Sequence, residues 1–260
     1  MLSKLPSSLP EPNPAPKRAS GAFYVGHKDS TVHVTPEDLV TLKLKTFING
    51  DVINAHARLA NEKHHLSSTS TAGKPNTIIL NNHTTQFLVT EAQDRKRALK
   101  LLTKEPIYKI GGVESELGAA FYRHIVAPVN YPAGIHWITL HADCAEGRLR
   151  ILDSALGTSR SPTIATDFID VLADHFASVG VAPLVPWQDW QVDVLDNLPQ
   201  QAMLSNDCGL YSILFSRAIA KGMDLSRDLP PFSRRDVKLM GRALILREIV
   251  ENRLLWWPGE

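Results

Sequence analysis

The chain has 260 residues, 43% of them hydrophobic, with 28 lysines and arginines against 27 aspartates and glutamates. That is apolar material for one large core or two small ones, and the balanced charge argues against a polyanion binder, so nucleic acid is not an expected partner. Two cysteines, Cys144 and Cys208, make neither a disulfide framework nor a thiolate zinc site. No apolar run reaches bilayer length and the N-terminus lacks an apolar signal core, so no membrane is expected and a soluble, intracellular protein is.

Residues 1 to about 20 carry Pro6, Pro10, Pro12, Pro14 and Pro16 among Ser, Lys and Glu. Such a stretch buries too little to order itself and is expected as a flexible tail, leaving 21–260 as one folded domain. Thr35-Pro-Glu-Asp reads as a helix start, Thr35 capping and Pro36 in the first turn. Phe47-Ile-Asn-Gly-Asp-Val-Ile-Asn54 leads into a second helix through Leu59. Residues 61–76 are polar and read as an insertion loop, the loop being the favoured reading over a recognition element. Its adjacent His64 and His65 lack acidic or thiol partners and read as surface residues, so no metal is expected.

Thr77 to Leu80 reads as a short buried strand, and Thr90 to Lys104 as an amphipathic helix with Leu101 and Leu102 inward. Strands follow over Phe121 to Asn130, Gly134 to Leu140 and, after a turn at Gly147, Arg148 to Asp153. A helix from Ile164 to Val179 and a Trp-rich segment (186–194) precede Leu198-Pro-Gln-Gln-Ala-Met-Leu-Ser-Asn-Asp-Cys-Gly209. An apolar helical run starts there and stops at Lys221-Gly222, with Asn206 and Asp207 as N-cap residues. The last helix opens at Ser233, with Asp236 in capping-box position, and turns Val237, Met240, Leu244 and Ile249 to the core.

Cys208 therefore sits where a polar loop meets a helix N-terminus, whose dipole favours a thiolate. Gly209 leaves the backbone beside the sulfur open to a substrate, and the glutamine amides upstream offer donors to an oxyanion. Thiolate catalysis also needs a base and a group that orients it. His136, mid-strand and followed by Trp137, and Asp153, at the end of the next strand, meet if the strands pair through the Gly147 turn. A lone cysteine is usually an inert buried residue and a lone strand histidine a core residue; the ordered set is harder to explain that way.

These stretches resemble the Ulp/SENP family of ubiquitin-like-protein-specific cysteine proteases. Phe47 to Asn54 resembles the family's Trp-Leu-Asn-Asp-x-x-Ile-Asn, and Ala127-Pro-Val-Asn130 with His136-Trp137 its Pro-Val-Asn…His-Trp. Ile151-Leu-Asp-Ser154 resembles its Tyr-Asp-Ser, Pro199-Gln-Gln…Asp-Cys-Gly209 its Pro-Gln-Gln…Asp-Cys-Gly, and Phe232-Ser…Asp236 the start of its last helix. The resemblance implies an α+β, papain-like fold with a central mixed β-sheet flanked by helices and the nucleophile at a helix N-terminus.

It further implies Cys208 as nucleophile, His136 as general base and then acid, Asp153 as orienting carboxylate, and Gln201 with the Cys208 backbone N–H as oxyanion hole. Trp137 and Phe47 would line a narrow slot for a Gly-Gly tail; no cofactor is called for. The implied reaction is thiol cleavage after the C-terminal Gly-Gly of a modifier, SUMO first, with ubiquitin and NEDD-type modifiers and their conjugates open. The site of action is cytoplasm, nucleus or, for a delivered effector, a host cell. Two other readings stay open: an acyltransferase on the same scaffold, which typically has Glu in place of Asp153, and a silent modifier-binding module. Three residues depart from the family pattern. Gln201 lies one residue further from Cys208 than the family's glutamine, which leaves Gln200 as fallback donor; Phe47 replaces tryptophan and Gly50 aspartate.

Overall fold

The computed structural model describes residues 22–26, 31–67, 77–90, 95–104, 118–131, 136–155, 162–203, 205–228 and 232–255. Residues 1–20, read as a tail, and 68–76 of the polar insertion lie outside them. Five strands form one mixed sheet in sequential order: β3 (Thr77–Ile79), β4 (His124–Asn130), β5 (Trp137–Asp143), β6 (Arg148–Leu152) and β7 (Gln191–Leu195). The outer pairs are parallel and the inner two antiparallel. Gly147 closes the β5–β6 hairpin with φ of 62°, a left-handed conformation that glycine adopts without a Cβ clash. A separate ribbon pairs β1 (Phe23–Val25) with β2 (Val32–Val34).

Both faces of the sheet are covered, so neighbouring strand residues such as Ile125 and Val126 are both fully buried, on opposite sides. One layer contains α2 (Gly50–Ser67), α6 (Cys208–Ala220) and α8 (Arg242–Glu251), with Val52, Ile53, Tyr211, Leu214, Ile245 and Ile249 in its core. The other packs α4 (Arg95–Lys104) and α5 (Pro162–Ser178) through Leu102, Phe168 and Leu172. The helix α6 is buried on all sides from Cys208 to Ile219, which is why its sequence is apolar all round. Its polar groups are paired: Arg217 bonds Glu248 at 2.7 Å, and Ser212 Oγ meets Thr139 Oγ1 of β5 at 2.7 Å.

Several expected elements differ in extent. The helix expected to stop at Leu59 is α2, which continues to Ser67, so 61–67 is helix and not loop. Two of its polar residues serve the structure: the Asn61 amide bonds both backbone groups of Ile79, and Glu62 pairs with Arg58 one turn back. Of the helix expected from Thr90 to Lys104, residues 95–104 are α4 and 91–94 lie outside the described residues; a further helix that was not expected, α3 (Asn82–Thr90), precedes it. Threonines hid α3, but Thr85 donates its hydroxyl to the Asn82 and Pro128 carbonyls. A short helix, α1 (Pro36–Val40), starts with the foreseen Thr35 cap, which forms a capping box with Asp38. The Trp-rich segment ends in β7, and α7 (Arg234–Asp236) opens on the capping box from Ser233. A π-turn at Val237–Gly241 then shifts the helical phase. Met240 is consequently 37% exposed, and Gly241 and Arg242 take the inward positions.

Candidate active site

The β5–β6 register pairs Thr139 with Leu152. Extended past the ladder, it brings the residue before β5, His136, diagonally onto the residue after β6, Asp153. His136 thus stands at the strand's mouth, not mid-strand. Its Nε2 lies 2.7 Å from Asp153 Oδ1. Asp153 is 2% exposed, and the same oxygen accepts the Ala155 N–H at 2.8 Å, which fixes the carboxylate.

Cys208 is the first residue of α6 and 1% exposed. The Thr139–Ser212 bond, one turn along, ties this helix to the strand that starts beside His136. Nε2 is the ring nitrogen that faces Asp153, and Cys208 sits close enough to the imidazole to act on its pKa. Burial alone would lower the His136 pKa. Hydrogen bonds to Asp153 and Cys208, together with their negative charge, outweigh burial and raise it to about 9. The ring is therefore built to carry a proton beside the sulfur at neutral pH.

Gln201 is anchored at three points. Its backbone N–H donates to the Ser154 carbonyl at 2.8 Å, its Oε1 accepts from Ser154 Oγ at 3.0 Å, and its Nε2 donates to the Ser205 carbonyl at 3.2 Å. One of its two amide hydrogens has a partner in that carbonyl. In Gln200, Nε2 donates to the carbonyls of both Leu198 and Asp153, which occupies its two hydrogens.

Trp137 is 3% exposed and donates Nε1–H to the Ile48 carbonyl at 2.9 Å. A Cβ added at Gly209 would stand 2.9 Å from Ile48 Cβ and 3.1 Å from Trp137 Cδ1. Gly209 was expected to leave room for a substrate; the protein's own side chains fill that room. Phe47, next to Ile48, is 49% exposed and presents an aromatic face at the surface. Asp207 also departs from expectation. It occupies the N-cap position without capping the helix through its side chain, because its carboxylate accepts two bonds from Arg242. A cavity of about 460 Å³ opens behind this turn, lined by Leu44, Met203, Asp207, Tyr211 and Lys238 among others, but by neither Cys208 nor His136.

Ile48 and Arg242 are the site-building residues that motif reasoning missed. Ile48 lies inside the Phe47–Asn54 stretch and was within reach of it; Arg242 carried no local signal.

A buried cysteine at a helix N-terminus, an imidazole against it and a carboxylate behind the ring define a cysteine peptidase of papain-like design. The model of the Ulp1 protease family C-terminal catalytic domain matches residues 46–244, and the chain belongs to that family of cysteine peptidases. A ubiquitin-like-specific protease of Arabidopsis thaliana, ESD4, is 22% identical over 219 residues, covering 82% of this chain and 41% of that protein. The chain thus spans about two-fifths of that relative's length. Among solved structures, the C-terminal Ulp1 protease domain in complex with SMT3, the yeast ortholog of SUMO, superposes with a TM-score of 0.62. It shares 19% identity and covers 89% of this chain and 88% of that one. The Ulp1-like SUMO protease catalytic domain of Chaetomium thermophilum gives 0.60 at 13% identity, covering 85% and 79%.

Proposed function

We propose that the protein is a thiol peptidase or isopeptidase that cleaves after the C-terminal Gly-Gly of a ubiquitin-like modifier, SUMO first, with Cys208, His136 and Asp153 as its triad. The observation that carries this reading is the His136 ring held between the Asp153 carboxylate and the Cys208 sulfur. In the proposed reaction the Cys208 thiolate attacks the carbonyl carbon of the last glycine, forming a C–S bond and placing the electron pair on oxygen. Collapse breaks the bond to the leaving amine, which takes the proton from His136. His136 then removes a proton from water, the hydroxide attacks the thioester, and collapse breaks the C–S bond. The Cys208 thiolate is restored beside protonated His136, and the modifier leaves as a carboxylate after its acid proton passes to solvent.

The oxyanion is held by the Cys208 backbone N–H, which as a first-turn donor has no partner within the helix, and by the second amide hydrogen of Gln201. Gln200, whose amide hydrogens both face protein carbonyls, is the poorer donor. Phe47 and Trp137 flank the approach to the sulfur, where a glycine tail, having no side chain, meets the least obstruction. The two solved structures named above are, by their own descriptions, a protease bound to a SUMO ortholog and a SUMO protease, which supports SUMO as the first substrate to try. No helix among the described residues is long and apolar enough to cross a membrane.

The deciding experiment offers SUMO, ubiquitin and a NEDD-type modifier, each with a C-terminal electrophile, to the protein and to Cys208→Ala. One modifier forming an adduct with the wild type only is the expected result. No adduct from any, together with acetyl transfer from acetyl-CoA, would overturn the peptidase reading.

A further inference from the structure

Arg242 is buried, yet none of its partners belongs to its own helix. Its Nη1 donates to the carbonyls of Thr41 and Lys43, each at 3.0 Å, and its Nη2 to the Thr46 carbonyl at 2.9 Å. On the other side, Nη2 reaches the Asn206 carbonyl at 2.8 Å and Asp207 Oδ1 at 2.9 Å, and Nε the same carboxylate oxygen at 3.2 Å. Six contacts use all five hydrogens of the guanidinium, one of them shared. A second tie crosses the same gap, from Asn206 Nδ2 to the Lys45 carbonyl at 2.6 Å.

The two segments joined this way are the two sides of the site. Residues 41–46 run into Phe47 and Ile48, and Ile48 holds Trp137 and covers Gly209. Residues 206–207 run straight into Cys208. The π-turn sets the arginine between them: its extra residue turns Gly241 onto α6, where a Cβ would lie 2.6 Å from Leu210 Cδ2, and places Arg242 beside it on the buried face. A helix end that needed only apolar contact would have no use for a guanidinium here. A planar fork with donors on both edges fixes two loops relative to each other, as a lysine's single ammonium does not.

We propose that Arg242 is a positioning residue that sets the Phe47–Ile48 side of the cleft against the Cys208 turn, so that a bound Gly-Gly carbonyl meets the sulfur in reacting geometry. The proposal rests on the peptidase reading for its consequence and on the six contacts for its structure. Loss of such alignment by about an ångström costs on the order of 10²-fold in rate. A reagent small enough to reach the sulfur without the slot needs only the His136–Cys208 pair.

The test compares Arg242→Lys and Arg242→Gln with Arg217→Gln, which breaks a buried ion pair with Glu248 on another face of α6. Each folded variant is measured with SUMO bearing a C-terminal coumarin amide, with iodoacetamide at Cys208, and by hydrogen exchange. Both Arg242 variants are expected to lose about 10²-fold in kcat/KM for the amide, mainly in kcat, while alkylation stays near wild type. Faster exchange is expected at 41–48 and 205–208 but not in β4 or β5. Arg217→Gln is expected to melt earlier with turnover per folded molecule unchanged. Wild-type turnover in Arg242→Lys, or equal losses in turnover, alkylation and folded fraction, overturns the positioning role. A wild type inert towards the coumarin amides of SUMO, ubiquitin and a NEDD-type modifier alike overturns the peptidase reading instead, and the exchange pattern still decides the clamp.

Discussion

Beside each end of β5 a histidine stands near a buried aspartate, to opposite effect. At its start, His136 bonds a buried aspartate directly and its pKa rises to about 9. Near its end, His141 is buried close to Asp143, and its pKa falls to about 3. Burial lowers both, so burial does not distinguish them. At the far end, Asp143 spends Oδ1 on the backbone N–H groups of Ala145 and Glu146, and Arg150 faces its other oxygen. His141 bonds the ring of His124 at 3.2 Å, and His124 and Arg150 both disfavour a charge on it. A direct carboxylate contact favours a proton on the ring; a carboxylate engaged elsewhere leaves a neutral ring.

Removing the sulfur should have the largest effect. Cys208→Ala is expected to abolish turnover while modifier binding persists, and residual cleavage would refute the mechanism. It also removes two of the causes that hold His136 high, so an NMR titration of that ring should fall below about 9 while His141 stays where it is. Asp153→Asn comes next, with a loss on the order of 10⁴, as in a serine triad that loses its orienting carboxylate. The alkaline limb of the pH–rate profile, expected near 9 in the wild type, should move to lower pH with it. A mild effect would remove Asp153 from the triad. Gln201→Ala is expected to cost roughly 10²–10³ in kcat, and an unchanged rate would return the role to backbone donors alone.

The contrast also separates two windows of stability. A group whose folded pKa is raised stabilises fully below its unfolded value, near 6.5, and loses that contribution as pH climbs through about 9. His141 works the other way: its folded pKa is depressed, so its neutral burial costs nothing above 6.5 and stability is lost as pH falls towards 3. The thermal midpoint should therefore decline on both sides of neutrality. His141→Leu should flatten the acid side only, and Asp153→Asn the alkaline side only. A single variant flattening both would show that the two ends are not independent.

The grouping of residues at the start of β5 was legible in the sequence because it depends on residue types. Cysteine, histidine and aspartate are few, and one glycine turn sets the register that joins two of them. Four of the five strands and the Cys208 helix were legible for a similar reason, since alternation and an all-apolar run have few other uses, whereas β7 was hidden in the Trp-rich segment. What stayed hidden depends on the protein's own backbone and space. Arg242 bonds carbonyls, which every residue has, so nothing in 41–46 marks it as a partner. Gly209 looks the same whether a substrate or Ile48 fills its missing side chain. Asn61 and Thr85 look like loop residues until Ile79 and Pro128 supply their hydrogen-bond partners. The π-turn adds one residue to a regular pattern, and that residue moved Met240 out of the core.

The smallest effect is expected at the second cysteine, which makes it the sharpest control on the comparison. Cys144 directly follows Asp143 at the structural end of β5, and burial first, then that carboxylate, pushes its thiol up to about 12. A thiol held that high has almost no thiolate at neutral pH, and only the thiolate is a nucleophile. Cys144→Ser should leave kcat and KM unchanged and remove no adduct when the protein is treated with iodoacetamide, since Cys208 should take the label. A turnover defect in Cys144→Ser, at unchanged folded fraction, would mean that the far end of the strand is coupled to the near one.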